Sequence, residues 1–266
     1  MKNTVSALMF RLKKSAMFWV LFILAVALPA INALFNNMSY KDFAGDLPIS
    51  YLFIDMSSLG NNCALMTSVC LAVFLCAEFR AGTVRNALLS NKSRTQLFFS
   101  YAVVGLIIAL TYTTLWLASS FAFNFALMGK MLTIDTQFWY LIALAYCAAL
   151  VTLAIVLFFL FATRNLALTI IIPLLITQIG ISIITTVLQV LAQDNSWNNS
   201  VVAWIPVLNY TLVTPNALVM LVSIFGGGFE ITVPADATLA VCLYSVLFTI
   251  IAGFVSWSIF RKADLK

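Results

Sequence analysis

The sequence predicts an all-α integral membrane protein with six transmembrane helices, and three observations lead there. Of its 266 residues 63% are hydrophobic and only 9% charged, too little polar surface to wrap a water-soluble globule. Six apolar windows, 17–35, 57–77, 97–128, 138–162, 166–191 and 237–260, are each long enough to cross roughly 30 Å of hydrocarbon at about 1.5 Å per residue. The cations between the windows fall on alternate flanks. Lys2, Arg11, Lys13, Lys14, Arg80, Arg85, Lys92, Arg94, Arg164, Arg261, Lys262 and Lys266 share one side, and Lys41 and Lys130 the other, which puts both termini in the cytoplasm. The net charge of +5 follows from that topology and gives no reason to expect nucleic acid.

Residues 1–15 read as a helix lying on the membrane surface. Val5, Leu8, Met9 and Leu12 recur at i, i+3, i+4, i+7, while Lys2, Arg11, Lys13 and Lys14 can reach lipid phosphates. A disordered basic tail fits the charges as well, and the small residues Ala30 and Ala33 near the end of the first window also fit a signal peptide. An acidic outer loop, 36–56, carries Tyr40, Phe43, Tyr51 and Phe53 and folds over the outer mouth. The second span opens on Asn61 and Asn62, so its outer end is polar, and it descends to Glu78.

Segment 78–94 must lie in water, because four cations and one acid follow in close succession between two apolar runs. Val84, Leu88 and Leu89 fall on one side of a short helix here and Arg85 and Lys92 on the other. The third window is longer than a bilayer needs, so it either tilts or emerges. Only Thr163, Arg164 and Asn165 separate the fourth and fifth spans, which makes them antiparallel neighbours.

The fifth span carries Gln178, Ser182, Thr185 and Gln189 at i, i+4, i+7, i+11, a single polar stripe that must face protein or water. It fits the wall of a translocation pathway and, equally, hydrogen bonding between helices. From 193 to 236 the chain is outside again, and its largely apolar run 201–229 is broken by Pro206, Pro215 and the triplet Gly226-Gly227-Gly228, which reads as short re-entrant or interfacial helices. No repeat or linker marks a second domain, so 1–266 is one membrane domain.

Several chemistries are excluded by what these residues lack. No Asp, Glu, Lys, Arg or His lies inside any window, which disfavours proton-driven carriers and voltage sensors. There is no histidine, no Cys-x-x-Cys pair among the five cysteines and no phosphate-binding Gly-x-x-x-x-Gly-Lys loop. No catalytic residues and no metal site are therefore expected, the chain is not expected to be an enzyme, and any ATPase must be a separate subunit.

The string Glu78-Phe79-Arg80-Ala81-Gly82-Thr83-Val84-Arg85-Asn86, followed by a basic turn and an apolar span, resembles the first cytoplasmic loop of type 2 ABC transporter permeases. Trp204-Ile205-Pro206-Val207-Leu208-Asn209 is similar to the entry into that family's short extracellular helices. The resemblance implies that 78–94 carries the coupling helix, which presses into a groove of an ATP-binding subunit. Glu78, Arg80, Gly82, Thr83, Arg85 and Asn86 then form the coupling loop, with Thr83 capping the helix, Arg85 facing a carboxylate of the ATPase, and Leu88 and Leu89 as apolar anchors.

It also implies two permeases, as a homodimer or with a similar second chain, and two ATP-binding subunits that hold the ATP and magnesium, this chain binding no cofactor itself. The setting it implies is a bacterial inner membrane. The pathway candidates Asn61, Asn62, Gln178, Ser182, Thr185 and Gln189 are neutral, which suits an amphipathic cargo. Outward transport of a peptide is the favoured reading, ahead of a small hydrophobic drug and a lipid. An ion-coupled carrier and a membrane scaffold that transports nothing are the readings from other classes.

Overall fold

A computed structural model describes residues 2–40, 47–48, 58–89, 93–129, 132–133, 136–163, 165–176 and 235–262. The described chain is all-helical apart from one two-residue parallel pairing. Its helices are α1 (Lys2–Lys14), α2 (Ala16–Tyr40), α3 (Ser58–Arg80), α4 (Thr83–Leu89), α5 (Arg94–Met128), α6 (Thr136–Thr163), α7 (Leu166–Leu174) and α8 (Ala235–Lys262). Strand β1 (Leu47–Pro48) pairs with β2 (Leu132–Thr133), Leu47 opposite Leu132 and Pro48 opposite Thr133, and so ties together the loops that follow α2 and α5.

Four of these helices are long and apolar enough to cross a membrane: α2, α5, the Ala145–Thr163 part of α6 and the Cys242–Lys262 part of α8. The second predicted span is helical as α3, with a shorter apolar stretch at Met66–Phe79, and the fifth is described only in its first turns, as α7. The segment expected to be re-entrant, 193–236, lies outside the described residues up to residue 234.

Helix boundaries depart from the hydropathy windows where polar residues find partners inside the bundle. α2 runs five residues past the first window, and Asn36, expected in a loop, is helical and donates to Asn124 Oδ1 of α5 at 3.4 Å. α3 runs on to Arg80, so Glu78 belongs to a helix and not to the loop beyond it. α5 begins at Arg94 and is about 52 Å long at about 1.5 Å per residue, its first turn polar and its N-terminus capped by Ser93, which accepts from the Gln96 N–H at 3.2 Å. Asn165 caps α7 in the same way through the Ala167 N–H at 3.0 Å, and α7 packs back on α6 as the short connection required.

The core lies where α3, α5 and α6 meet. α6 touches α3, α5, α7 and α8, while α2 lies against α5 and α8 against α6. Gly105 of α5 lets α6 come close: a Cβ there would meet Leu153 Cδ1 at 2.8 Å. Near the end of the bundle that carries Arg11, Arg94 and Arg261, five rings join four helices. Phe161 lies 5.2 Å from Phe98, 4.9 Å from Phe260 and 6.1 Å from Phe79, and Phe79 lies 6.2 Å from Tyr101. The thiols of Cys70, Cys76 and Cys147 are buried, as small apolar side chains would be.

Pro29 sits inside α2 and has no N–H to give to the Ala25 carbonyl one turn earlier. The Ser119 hydroxyl of α5 lies 3.2 Å from that carbonyl, and also 2.7 Å from the Leu115 and 3.1 Å from the Trp116 carbonyls of its own helix. Its single proton is divided among the three, and the Ala25 oxygen has this hydroxyl in place of the missing N–H. Ser119→Ala should therefore cost about 0.5–1.5 kcal/mol. In a Pro29→Ala background, where the helix supplies its own donor, the loss should nearly vanish. Thermal midpoints of the four proteins in detergent check this, and an equal Ser119→Ala loss in both backgrounds would contradict it.

Candidate functional site

Of the residues singled out in 78–94, Glu78 is a buried carboxylate and Thr83 lies against it. Glu78 lies in the last turn of α3 with its side chain 10% exposed, and a charge held there needs partners. It has two. Arg11 Nη1 of α1 donates to Glu78 Oε2 at 2.7 Å, its own side chain half exposed. The Thr83 hydroxyl lies 2.7 Å from both Oε2 and the Glu78 backbone carbonyl, so its proton serves one or the other. One carboxylate thus joins α1, α3 and α4.

The turn between α3 and α4 is built by glycine. Gly82 adopts φ +67°, a left-handed conformation that other residues enter only with strain, and its N–H closes the end of α3 on the Phe79 carbonyl at 3.2 Å. Its own carbonyl accepts from the Asn86 N–H at 2.9 Å and opens α4. This corrects the role expected of Thr83. As the first residue of α4 it stands one place past the cap position, and its hydroxyl proton turns back to Glu78.

The apolar side of α4 divides in two. Val84 is buried, and Ala87 and Leu88 pack against the protein's own core, whereas Leu89 is 77% exposed and Asn86 is exposed beside it. Leu88 is thus partly buried against its own protein, and Leu89 is the more exposed of the two expected anchors. Arg80 ends α3 and Arg85 lies within α4, the side chains of both being outside the described residues.

α1 shows the same economy. Leu8 and Leu12 are buried, Val5 and Met9 pack against the core, and the helix lies on α5 and α2. Its apolar stripe is spent on the protein, and Arg11, expected at lipid phosphates, is spent on Glu78. Phe10 remains exposed with Lys14 Nζ 4.5 Å from its ring centre. The Trp19 indole donates to the Lys13 carbonyl at 2.8 Å and so serves the end of α1.

Of the expected pathway residues, Asn61 and Asn62 lie in the first turns of α3 with side chains outside the described residues, and Gln178, Ser182, Thr185 and Gln189 lie wholly outside them. The structure instead brings forward a row on α5. Thr113, Trp116, Ser120 and Asn124, at i, i+3, i+7, i+11, are all buried. Among the described residues Thr113 Oγ1, Trp116 Nε1 and Ser120 Oγ have no hydrogen-bond partner, while Asn124 donates to the Ser120 carbonyl at 2.8 Å and accepts from Asn36. The periodicity that marked the fifth span was present here too, hidden in a run whose other residues are almost all apolar.

No protein-family model matches this sequence, and no curated protein matches it.

The Glu78 junction makes a direct prediction. Arg11→Ala leaves Thr83 as the carboxylate's one side-chain donor among the described residues and should cost about 1–3 kcal/mol, the half-exposed guanidinium keeping the loss below that of a fully buried pair. In a Glu78→Gln background, with no charge to compensate, the same substitution should cost much less. Losses that add to within about 0.5 kcal/mol in detergent unfolding would mean that the two side chains are not coupled.

Proposed function

We propose that the chain is the membrane-spanning permease of an ATP-driven exporter, working as one of a pair in a bacterial inner membrane, with α4 as the coupling helix that meets a separate ATP-binding subunit. The observation that carries the reading is the construction of α4. A two-turn helix with one exposed leucine and one exposed amide is held rigidly at the basic end of a bundle of membrane-crossing helices. A helix whose only task was to close a loop would not need a buried ion pair and a left-handed glycine to fix its orientation. With the positive flank cytoplasmic, Leu89 and Asn86 face the compartment in which ATP is hydrolysed.

The division of the α4 face supplies the test. Leu89→Asp should abolish substrate-stimulated ATP hydrolysis and copurification of the ATPase while leaving the thermal midpoint of the permease unchanged, because its side chain touches little of its own protein. Leu88→Asp should lower the midpoint itself by burying a charge against the core. A Leu89→Asp protein that still couples at the wild-type rate would end the assignment.

An amphipathic peptide is the cargo this reading favours, and the α5 row supports it with hydroxyl, indole and amide groups and no fixed charge. Thr113→Val with Ser120→Ala separates pathway from packing. Removing buried hydroxyls that have no partner is neutral or stabilising in a core, so the thermal midpoint should stay or rise. Export measured as peptide resistance of cells should fall several-fold. Full resistance would remove the row from the pathway.

A further inference from the structure

A cleft of about 670 Å³ opens between α5, α6 and α8. Its walls are Phe98, Phe99, Leu106, Leu157, Ile250 and Phe254, among other apolar side chains, and its few polar groups are the hydroxyls of Thr95 and Thr249 and the indole of Trp257. The cleft opens sideways onto the perimeter of the bundle, since Ile250 and Phe254 are 64% and 63% exposed. Gly253 stands in its wall, and a Cβ there would meet nothing within 4 Å. In a bilayer such a slot lies at the depth of hydrocarbon, where water gains nothing and an acyl chain fits.

Its mouth is charged. Trp257 and Thr95 line the end nearest the basic terminus of α8. The Arg261 guanidinium carbon lies 5.5 Å from the centre of the Trp257 ring, and Lys262 follows it in the last turn. Arg94, next in sequence to Thr95, donates from Nη1 to the Arg261 carbonyl at 2.8 Å, so the start of α5 and the end of α8 are tied together beside this end of the cleft. Among the described residues neither Arg261 nor Lys262 has a carboxylate partner, and Asp264 lies outside them. Two cations in the last turn of α8, at the end of an apolar slot, match a molecule with a negative head and an aliphatic tail.

We infer that this cleft is a binding site for one anionic phospholipid, its acyl chain against Gly253 and Phe254 and its phosphate on Arg261 and Lys262. A zwitterionic lipid would fill the slot equally well but would gain less at the rim. The inference stands independently of the exporter reading, since any membrane protein with this cleft would take the same lipid.

The test uses the full-length protein reconstituted in vesicles of phosphatidylglycerol and phosphatidylcholine in equal parts, then extracted in mild detergent and examined by native mass spectrometry. One phosphatidylglycerol per chain should stay bound. Arg261→Gln with Lys262→Gln should reduce its retention several-fold, whereas Lys13→Gln with Lys14→Gln, an equal loss of charge elsewhere at the same end, should not. Gly253→Leu should displace the lipid while leaving the rim and the thermal midpoint intact, which distinguishes the slot from attraction by surface charge alone. Equal retention of the two lipids, or unchanged retention in the rim and Gly253 variants, would overturn the inference. So would disulfide cross-linking of Gly253→Cys to a second chain at high yield in a background lacking the native cysteines, because the cleft would then be an interface between copies.

Discussion

The arrangement of the basic end depends on a single constraint, that the carboxylate of Glu78 is buried at the end of an otherwise apolar helix. A desolvated carboxylate is tolerated only with close donors, and the chain supplies them from two directions: Arg11 from a helix 67 residues earlier in sequence and Thr83 from the next helix. To reach it, α1 must lie against the bundle and α4 must fold back at Gly82. The apolar faces of α1 and α4 then follow the charge into the core, Leu8 and Leu12 from one helix and Val84 from the other. Burying each such side chain contributes roughly 1.5–3 kcal/mol, more than the ion pair itself is expected to add, so the pair acts chiefly as a specifier of geometry.

The interior of the bundle follows a related rule, that a hydroxyl in an apolar setting finds the nearest carbonyl. Ser100, Thr111, Thr163, Thr169, Thr249 and Ser256 each donate to the carbonyl one turn earlier in their own helix, at 2.6–2.8 Å, which lets them sit in spans at little cost. Against that background the exceptions carry information. Ser119 divides its proton because Pro29 leaves a carbonyl of α2 without its helical donor, and Thr113 and Ser120 lack partners altogether among the described residues. The first is a repair of backbone chemistry, and the second is polarity with no evident structural use.

Much of the architecture was legible in the sequence because hydropathy and length are enough to mark apolar helices. The windows at 17–35, 97–128, 138–162 and 237–260 each correspond to a helix of spanning length, and the two-residue parallel pairing of β1 with β2 had no signal at all. Legibility fell at the ends of helices, where the outcome depends on contacts between distant residues. Asn36 reads as a loop residue until Asn124 is beside it, and Arg11 reads as a lipid contact until Glu78 is. The spacing of Val84, Leu88 and Leu89 identified the helix but could not divide its face, because only the packing of α4 on the core decides that Leu88 turns inward and Leu89 outward. The row on α5 was readable by period and passed over because the surrounding apolar run was taken as uniform.

The division of the α4 face also decides how a displacement applied at Leu89 would travel. Only Ala81 and Gly82 separate α4 from α3, and the Thr83 hydroxyl clamps that turn to Glu78, so α4 has little freedom to pivot about its own start. Phe79, one residue beyond Glu78, contacts Tyr101 of α5 and Phe161 of α6, and Phe161 contacts Phe260 of α8. Packed rings at these distances resist compression, so a push on α4 is delivered to the ends of α5, α6 and α8 together instead of being absorbed in a loop. α1 is held at this end both by the half-exposed guanidinium of Arg11 on Glu78 and by the burial of Leu8 and Leu12 in the core. Because Glu78 is shared by Arg11 of α1 and Thr83 of α4, any movement of α4 against α1 is felt at this one carboxylate.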